Sequence, residues 1–334
     1  MTIADLEHFR NLLLERQNNV VQWLASPEDA GQEEVDKVQN LLTEIKDALK
    51  RVEHQDFGVC TVCQGEIEHH RLEIQPTAQI CLECITQQER NQLEEELFLA
   101  SKIHRALLPQ TVVHIDGFDL AVKSLAARIV GGDYYDFFTG GRSARIVIAD
   151  AMGKGLPAGL LMSNIQGALK ILADEIESPS QLVTRLNRWL CRNVPVTKFV
   201  SFVCIALESG TNQSSRLLMA NAGHCPPIIV RNGGAIELLE PTGGVLGVHE
   251  QFVFQECAHQ MQSGDLLVLY TDGVTDAENG TGEMFGDNRL LQFLSSHPAA
   301  EPNQLVNLLM TEIDSFTGRK ELSDDLTIIA LRRQ

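Results

Sequence analysis

Four aspartates in the second half of the chain stand at strand ends or turns, where their carboxylates could hold metal ions. They occur in Gly131-Gly132-Asp133, Ala149-Asp150-Ala151, Tyr270-Thr271-Asp272-Gly273 and Ser323-Asp324-Asp325-Leu326-Thr327. Singly, each is typical of a turn aspartate. Together they form an all-oxygen ligand set without histidine, which suits Mg²⁺ or Mn²⁺ better than zinc or copper. Two such ions about 4 Å apart can share a bridging water, lower its pKa and direct it at phosphorus.

The sequence around Asp150 predicts how one of these carboxylates is presented. The apolar, β-branched run Arg145–Ala149 predicts a buried strand that ends directly before Asp150. Gly153 and Gly155 then permit a tight turn, and Pro157 is tolerated in the first turn of a helix. We therefore expect Asp150 at the mouth of a glycine turn between a strand and a helix.

Four of the eight cysteines form a second candidate metal site. The pairs Cys60-x-x-Cys63 and Cys81-x-x-Cys84 are separated by seventeen residues. Each pair can bind one metal ion from a tight turn, so the spacing predicts a tetrahedral four-thiolate zinc site. His69 and His70 lie in the spacer and could substitute as ligands. A closed four-ligand zinc site is structural because no coordination position remains open for catalysis.

Composition restricts the classes of function. A length of 334 residues is enough for about two domains. The formal net charge of −18 argues against a general nucleic-acid or membrane-surface binder. The first residues have neither the basic region nor the apolar core of a signal peptide, and no apolar run approaches the ~18 residues of a membrane span. Cysteine usage is typical of a reducing compartment, so we expect a cytoplasmic protein.

The first third of the chain is predicted to be mainly helical. Helices are expected at 5–25 and 33–53, with a turn at 26–31 between them, which gives an antiparallel hairpin. The second helix carries a coiled-coil pattern: Val35, Val38, Leu42, Ile45, Leu49 and Val52. A further helix over 86–108 carries a narrow apolar stripe and ends at Pro109, as expected of a linker or dimer contact. The alternative for the hairpin is a pair of short helices that only dimerise the protein.

The remainder alternates short β-branched runs with a few longer helices. Strands are predicted at 119–124, 134–138, 145–149, 201–207, 216–220, 228–231, 252–256, 265–270 and 326–331. Helices are predicted at 156–173, 181–192, 288–295 and 301–316. Successive strands with grouped helices favour an α+β fold, in which packed antiparallel sheets are covered by helices, over a doubly wound one. The domain boundaries we expect are a helical hairpin at 1–54, a zinc finger at 55–90, a helical linker at 91–110 and a main domain at 111–334.

The cysteine region resembles the DksA/TraR zinc-finger family. The resemblance rests on Asp56–Cys63, Ile67, Arg71-Leu72-Glu73, Pro76-Thr77-Ala78 and Cys81–Cys84. In that family a coiled-coil hairpin precedes the finger, and its acidic tip can enter the secondary channel of RNA polymerase. The corresponding tip here is Glu28-Asp29-Ala30, so the resemblance implies one structural zinc ion and a possible contact with RNA polymerase.

The carboxylate motifs resemble the SpoIIE/RsbU branch of the PPM metal-dependent phosphatases. They occur in family order over 118–334 as Val130–Phe137, Ala149–Gly155, Asn221–His224, Thr271–Val274 and Asp324–Thr327. The stretch Leu99–Pro109 also resembles the regulatory linker helix that precedes the catalytic domain in this branch. The resemblance implies a PPM-type α-β-β-α sandwich and two Mn²⁺ or Mg²⁺ ions.

Roles follow from this resemblance position by position. Asp150 would bridge the two ions, with the Ala151 carbonyl as a further ligand. Asp133 would hold ligand water or the second ion, while Asp272 and Asp324 would complete the other ion. Asp325, Asp136 and Asp276 would be supporting residues, and His224 would be either a general acid or a structural histidine.

The resemblance implies a substrate and leaves two functions open. The expected substrate is phosphoserine or phosphothreonine on an anti-anti-sigma (STAS) protein in a partner-switching pathway, with a homodimer formed through the helical segments. The alternative is a DksA-like polymerase regulator whose second domain senses or scaffolds without catalysis. Retention of all four aspartates favours the enzyme, because a degenerate domain is expected to lose ligands.

Overall fold

The structure is a computed structural model that describes residues 3–25, 32–54, 56–85, 87–109, 113–140, 143–194, 198–208, 214–318 and 322–334. The predicted hairpin tip Glu28-Asp29-Ala30 lies outside these ranges. The chain divides into two compact units, Met1–Phe98 and Leu99–Gln334, and helix α4 (Gln87–Leu107) contains the point of division. No helix among the described residues is long and apolar enough to cross a bilayer.

The first unit consists of a helical hairpin and a cysteine-rich finger around one core. The two long predicted helices are confirmed as α1 (Ile3–Ala25) and α2 (Gln32–Glu53), and a short α3 (His69–Ile74) lies within the finger. Phe9 of α1 packs against Phe57 and His69, with ring centroids 5.4 and 5.0 Å apart. Hairpin and finger therefore share buried side chains: Phe9, Leu13, Ile45, Ala48, Phe57, Cys60, Ile67, Leu72, Ala78 and Cys81.

The described part of the second unit contains ten strands and, after α4, four helices. The strands are β1 (Phe118–Leu125), β2 (Asp133–Gly140), β3 (Ser143–Ala151), β4 (Val200–Glu208), β5 (Ser214–Ala222), β6 (Ile228–Val230), β7 (Ile236–Leu238), β8 (Cys257–Gln262), β9 (Leu266–Tyr270) and β10 (Leu326–Arg333). The helices are α5 (Leu156–Glu175), α6 (Pro179–Asn193), α7 (Gly286–Ser296) and α8 (Pro302–Thr317).

The strands form two antiparallel sheets, ordered β1-β10-β9-β6-β7 and β2-β3-β4-β5-β8. Alternation along β3 shows how the layers arise. Ile146 and Ile148 point into the apolar layer between the sheets, whereas Val147 and Ala149 point towards α5 and α6. On the other sheet, α7 and α8 cover the outer face. The α+β prediction of an α-β-β-α sandwich is confirmed.

One predicted strand is wrong. Residues 252–256 are not a strand, and the strand that pairs with β5 begins at Cys257. The preceding segment is bound to α6 instead, because the Phe254 backbone N–H donates to the Thr184 hydroxyl at 3.2 Å. Its apolar residues do not form a buried run, since Phe254 is buried while Val253 is 73% exposed. The sequence analysis also missed α3 and β7, which span only six and three residues.

The layer between the sheets should carry much of the stability of the second unit. We expect Ile148→Ala to lower its free energy of unfolding by about 2–5 kcal/mol, because Ile148 is fully buried between the sheets. Ile171→Ala, at a 65% exposed position on α5, should change it by less than about 0.5 kcal/mol. Urea unfolding can be followed by Trp189 fluorescence in a Trp23→Phe background, since the chain has two tryptophans. Equal losses in the two variants would contradict the assignment of the core.

Candidate metal centres

The four predicted aspartates lie at ends of strands from both sheets. Asp133 begins β2 and is the register partner of Asp150 in β3. Asp272 opens a 3-10 turn (Asp272–Val274) directly after β9, and Asp324 precedes β10. These strand ends meet because the hydroxyls of Thr271 and Thr327 each donate to Asp133 Oδ2 at 2.7 Å. Two hydrogen bonds thus join the carboxylate of one sheet to the other sheet.

Asp133 has one satisfied and one unsatisfied oxygen. Its Oδ2 accepts the two threonine hydroxyls, whereas its buried Oδ1 has no hydrogen-bond partner among the described residues. Burial, and then the negative charge of Asp150, raise the pKa of Asp133 well above its ordinary value. A buried carboxylate oxygen without a donor is costly unless a cation binds it.

Asp150 lies among like charges. Burial is the largest cause that raises its pKa to about 8, followed by the charges of Asp272 and Asp324. The pKa of Asp272 is also raised, by burial and by Asp324. Lys154 opposes this repulsion: its Nζ lies 2.9 Å from Asp324 Oδ2 and donates to the Ser323 carbonyl at 2.7 Å. The site therefore has more negative than positive charge.

Glycines leave room beside the candidate ligand oxygens. A Cβ at Gly132 would lie 3.1 Å from the Ala151 carbonyl oxygen and 3.5 Å from Asp150 Oδ1. A Cβ at Gly273 would lie 1.9 Å from the Asp325 carbonyl oxygen, so only glycine allows the turn after Asp272 to approach β10 this closely. These two glycines let backbone segments approach one another around the carboxylates.

The donor set fits hard divalent cations. Apart from the four cysteines described below, no three His, Cys, Asp or Glu residues in the described ranges place their ligand atoms within 4.8 Å of one another. One ion with oxygen ligands at about 2.1 Å spans only about 4.2 Å between them. No three of the four carboxylates are therefore close enough to bind one ion in this arrangement, so Asp150, Asp272 and Asp324 would have to move closer to share an ion whose shell a carbonyl or water completes. Hard ions such as Mg²⁺ accept such mixed shells.

Several residues outside the predicted set of metal ligands support this arrangement. Asp325 Oδ1 accepts the Ala127 N–H at 2.7 Å, and its Oδ2 accepts the Gly132 N–H, so Asp325 fastens the segment before Asp133. Thr271 and Thr327 occur in the quoted motifs, but nothing in the sequence shows that both hydroxyls reach Asp133. Asp136 is buried against the Tyr134 hydroxyl and Lys170 Nζ, each at 2.6 Å.

His224 is suited to a structural role. Its Nδ1 lies 2.7 Å from the Ser201 hydroxyl, and Ser201 is the register partner of Asp150. Asn221 Oδ1 accepts the His224 backbone N–H at 2.8 Å. Burial lowers the pKa of His224 to about 4, so the imidazole is neutral at pH 7 and has no ready proton to donate as a general acid.

Helix α4 contributes to the surroundings of Asp133. Its last turns line a cavity of about 510 Å³ together with residues 124–126, 128–129 and 131, Asp133 and Asp325. His104 is buried at this position, and burial lowers its pKa. A Cβ at Gly159 of α5 would lie 3.5 Å from His104 Cδ2, so α4 and α5 pack closely here.

The four predicted zinc ligands come together in the first unit. The sulfur atoms of Cys60, Cys63, Cys81 and Cys84 all lie within 4.8 Å of one another. Hydrogen bonding from the backbone of Cys63 is the largest cause that lowers the pKa of Cys60 to about 6. The neighbouring Cys81 thiol, followed by burial, raises the pKa of Cys84 to about 12. A tetrahedral set of four sulfurs fits zinc, which binds such ligands as thiolates.

The second unit is similar to known phosphatases. Residues 140–334, more than half of the chain, match the family model described as Stage II sporulation protein E (SpoIIE). Phosphoserine phosphatase RsbU of Bacillus subtilis is 28% identical over 249 residues, which cover 73% of this chain and 72% of RsbU. The SiaA-PP2C domain of Pseudomonas aeruginosa has a TM-score of 0.66 at 19% identity, over 74% of this chain and 99% of that domain. This structural similarity shows a shared fold.

The finger is similar to a different protein. RNA polymerase-binding transcription factor DksA of Escherichia coli K12 is 45% identical over 51 residues, which is 15% of this chain and 34% of DksA. The match therefore covers about a third of DksA. Together with the four clustered cysteines it supports a DksA-like zinc finger.

The charge of Asp150 should destabilise the protein when no divalent ion is bound. Its pKa is 3.8 in the unfolded chain and about 8 in the folded one, so the folded state disfavours ionisation and stability is lost as pH rises from about 4 to 8. We expect Asp150→Asn to raise Tm at pH 8 in metal-free buffer by at least about 2 °C and to flatten this pH dependence. Saturating Mn²⁺ should reverse the order of the two Tm values. The wild-type carboxylate can bind the ion, whereas the asparagine amide has no charge with which to hold it. Thermal melts at pH 5 and 8 test both points, and an unchanged Tm at pH 8 would contradict the account.

The cysteine cluster should bind one zinc ion per chain. Cys60→Ser should remove that ion and unfold the finger, because small metal sites of this kind depend on the metal for folding. Atomic absorption measures the zinc, and circular dichroism with limited proteolysis reports the fold of the first unit. Cys191→Ser, on α6 and outside the cluster, is the matched control and should retain full zinc content. Full zinc in both variants would rule the site out.

Proposed function

Because this chain belongs to the SpoIIE family and is a PPM-type serine/threonine phosphatase, we propose that it hydrolyses phosphoserine or phosphothreonine on an anti-anti-sigma (STAS) protein in partner-switching signalling. The observation that carries this proposal is the placement of Asp133 and Asp150 from one sheet beside Thr271, Thr327 and the strand ends that bear Asp272 and Asp324. The printed name of RsbU describes a phosphoserine phosphatase, which supports this choice of phosphoester.

The proposed metal ligands are Asp133, Asp150, the Ala151 carbonyl, Asp272 and Asp324. Two Mn²⁺ or Mg²⁺ ions, when bound, would supply an activated water for attack on phosphorus and neutralise the phosphoryl oxygens. We assign Asp150 to both ions because the charges of Asp272 and Asp324 act on it and its register partner is Asp133. Thr271 and Thr327 hold Asp133 Oδ2, which leaves Oδ1 for a cation or its water.

Lys154 forms an ion pair with one carboxylate of the proposed site, that of Asp324. Its contact with Asp324 balances part of the negative charge in the absence of divalent ions. A metal ion at Asp324 would compete with that contact, so metal binding would release the ammonium group.

We propose roles for the four predicted segments of the chain from the families that their motifs resemble. The hairpin at 1–54 and the zinc finger at 55–90 would form a sensory module, the helix at 91–110 a linker, and 111–334 the phosphatase. Signals would reach the site through the end of α4, where His104 lies beside the segment that precedes Asp133. We also propose homodimerisation through the helical segments and a cytoplasmic location, which agrees with eight cysteines that form no disulfide.

A second candidate function is regulation of RNA polymerase. The observation that favours it is the similarity of the finger to DksA. In that case the protein would alter transcription in a purified polymerase system without Mn²⁺-dependent phosphatase activity. The phosphatase is preferred because the carboxylate site retains all four aspartates.

The central test compares Asp150→Asn with an aspartate outside the site. We expect Asp150→Asn to lower Mn²⁺-dependent dephosphorylation of a phosphorylated STAS protein by at least about 100-fold, because the variant loses the charge shared by both ions. Asp116→Asn is the control, since the Asp116 side chain is 90% exposed, and it should retain wild-type activity. Release of inorganic phosphate, with and without Mn²⁺, is the measurement. Undiminished turnover by Asp150→Asn would refute the proposed mechanism, whereas the polymerase assay addresses the second candidate.

A further inference from the structure

Helix α6 presents a row of exposed arginines on a strongly acidic protein. Arg185, Arg188 and Arg192 are spaced by three and four residues, which places them on one face of the helix, and all three are exposed. The opposite face packs into the core through residues such as Leu182, Val183, Leu186 and Leu190. This row is locally positive, although the chain has a formal net charge of −18. We refer to it as the arginine face of α6.

The arginine face is only partly neutralised. Arg192 donates to Glu250 through Nε at 2.7 Å, which offsets one of the three charges. Arg185 and Arg188 make no ion pair or side-chain hydrogen bond with the described residues. Glu175 lies at the edge of the same surface. Two guanidinium groups therefore remain available for carboxylates of a partner, which they can bind in a planar, bidentate way.

The segment from Gly247 to Phe254 forms the other side of this surface and is firmly bound to α6. The buried Asn187 accepts the Gly247 N–H at 3.0 Å and donates to the His249 carbonyl at 2.9 Å. The Thr184 hydroxyl accepts the Phe254 N–H at 3.2 Å. These bonds hold the segment against the helix, so a partner would meet a preorganised surface and not a loose loop.

Apolar side chains and cavities complete the surface. Val248, Phe252 and Val253 are 49%, 42% and 73% exposed. A cavity of about 690 Å³ lies between Arg188, Arg192 and the 247–251 segment. A second, of about 500 Å³, lies between Arg185, Arg188 and Val253. Arginines around exposed aliphatic and aromatic groups are typical of protein interfaces.

The surface continues to the carboxylate site. A Cβ at Gly247 would lie 2.9 Å from the Lys198 carbonyl oxygen, so this segment packs directly on the start of β4. The next residue, Phe199, accepts the Met152 N–H at 3.0 Å, and Met152 lies two residues after Asp150. Met152 and Phe199 are themselves 43% and 37% exposed. A folded substrate could therefore contact this surface while its phosphoryl group reaches the aspartates.

We infer that the arginine face of α6, with the 247–254 segment, docks an acidic surface of the phosphoprotein substrate next to its phosphorylated residue. This inference rests on the proposed phosphatase function and names where the substrate binds. A protein partner fits better than an anionic membrane because the surface is concave, carries apolar groups and includes Glu175 and Glu250 at its edges.

The test separates docking from chemistry with two substrates. A phosphorylated STAS protein presents a folded surface, whereas p-nitrophenyl phosphate presents only the phosphoester. We expect Arg185→Glu/Arg188→Glu to lower kcat/KM for the phosphoprotein about tenfold or more, mainly through KM, and to leave turnover of p-nitrophenyl phosphate unchanged. The loss should shrink at 0.5 M NaCl, where exposed charges are screened. Arg185→Gln/Arg188→Gln should give a smaller effect in the same direction.

The control is Lys123→Glu/Arg216→Glu, which changes the net charge equally at exposed positions on β1 and β5. It should behave as the wild type with both substrates. Equal loss in the control, or an unchanged KM in the α6 variant, would overturn the docking proposal while leaving the phosphatase intact. Vesicles containing phosphatidylserine form a further arm, and arginine-dependent binding to them with no change in KM would also overturn it. Absence of Mn²⁺-dependent hydrolysis of either substrate by the wild type would instead refute the proposed function.

Discussion

Repulsion between carboxylates that must stand close together is the constraint on which the second unit depends. Burial, and then the charges around it, raise the pKa of Asp150 to about 8, and that of Asp133 is raised well above its ordinary value. Such a cluster can persist only if the rest of the fold is stable enough to bear its cost. The two five-stranded sheets meet this need because a buried apolar layer, rich in isoleucine, valine and leucine, lies between them.

The protein positions these charges chiefly with neutral donors. Two threonine hydroxyls hold one oxygen of Asp133, and backbone N–H groups hold both oxygens of Asp325. Neutral donors fix a carboxylate without cancelling its charge, so the negative potential needed for divalent ions is kept. Lys154 is different, because its ammonium group pairs with Asp324 and cancels part of that negative charge. Neutral donors thus orient the carboxylates, whereas the charged Lys154 offsets part of their negative charge.

Much of the architecture could be predicted from local sequence, because alternating apolar residues and cysteine spacing report directly on strands and on the finger. The thiol cluster and the sandwich were accessible in this way. Contacts between segments that are distant in sequence could not be predicted. No local pattern shows that Thr271 and Thr327 converge on Asp133, or that Asp325 binds Ala127 and Gly132. The wrongly predicted strand at 252–256 has the same origin, since its apolar composition does not show that Phe254 hydrogen-bonds to Thr184 of α6.

Net charge also limits how a phosphorylated partner can approach. A phosphoryl group carries about −1.5 to −2 charges at pH 7, and this chain carries a formal −18, so long-range electrostatics oppose the encounter. Divalent ions would reverse the potential only within the site itself, because ionic screening limits their effect to about 8 Å at physiological salt. A folded acidic substrate needs attraction over a wider area. The arginine face of α6 would supply such positive charge outside the carboxylate site, without altering the aspartates themselves.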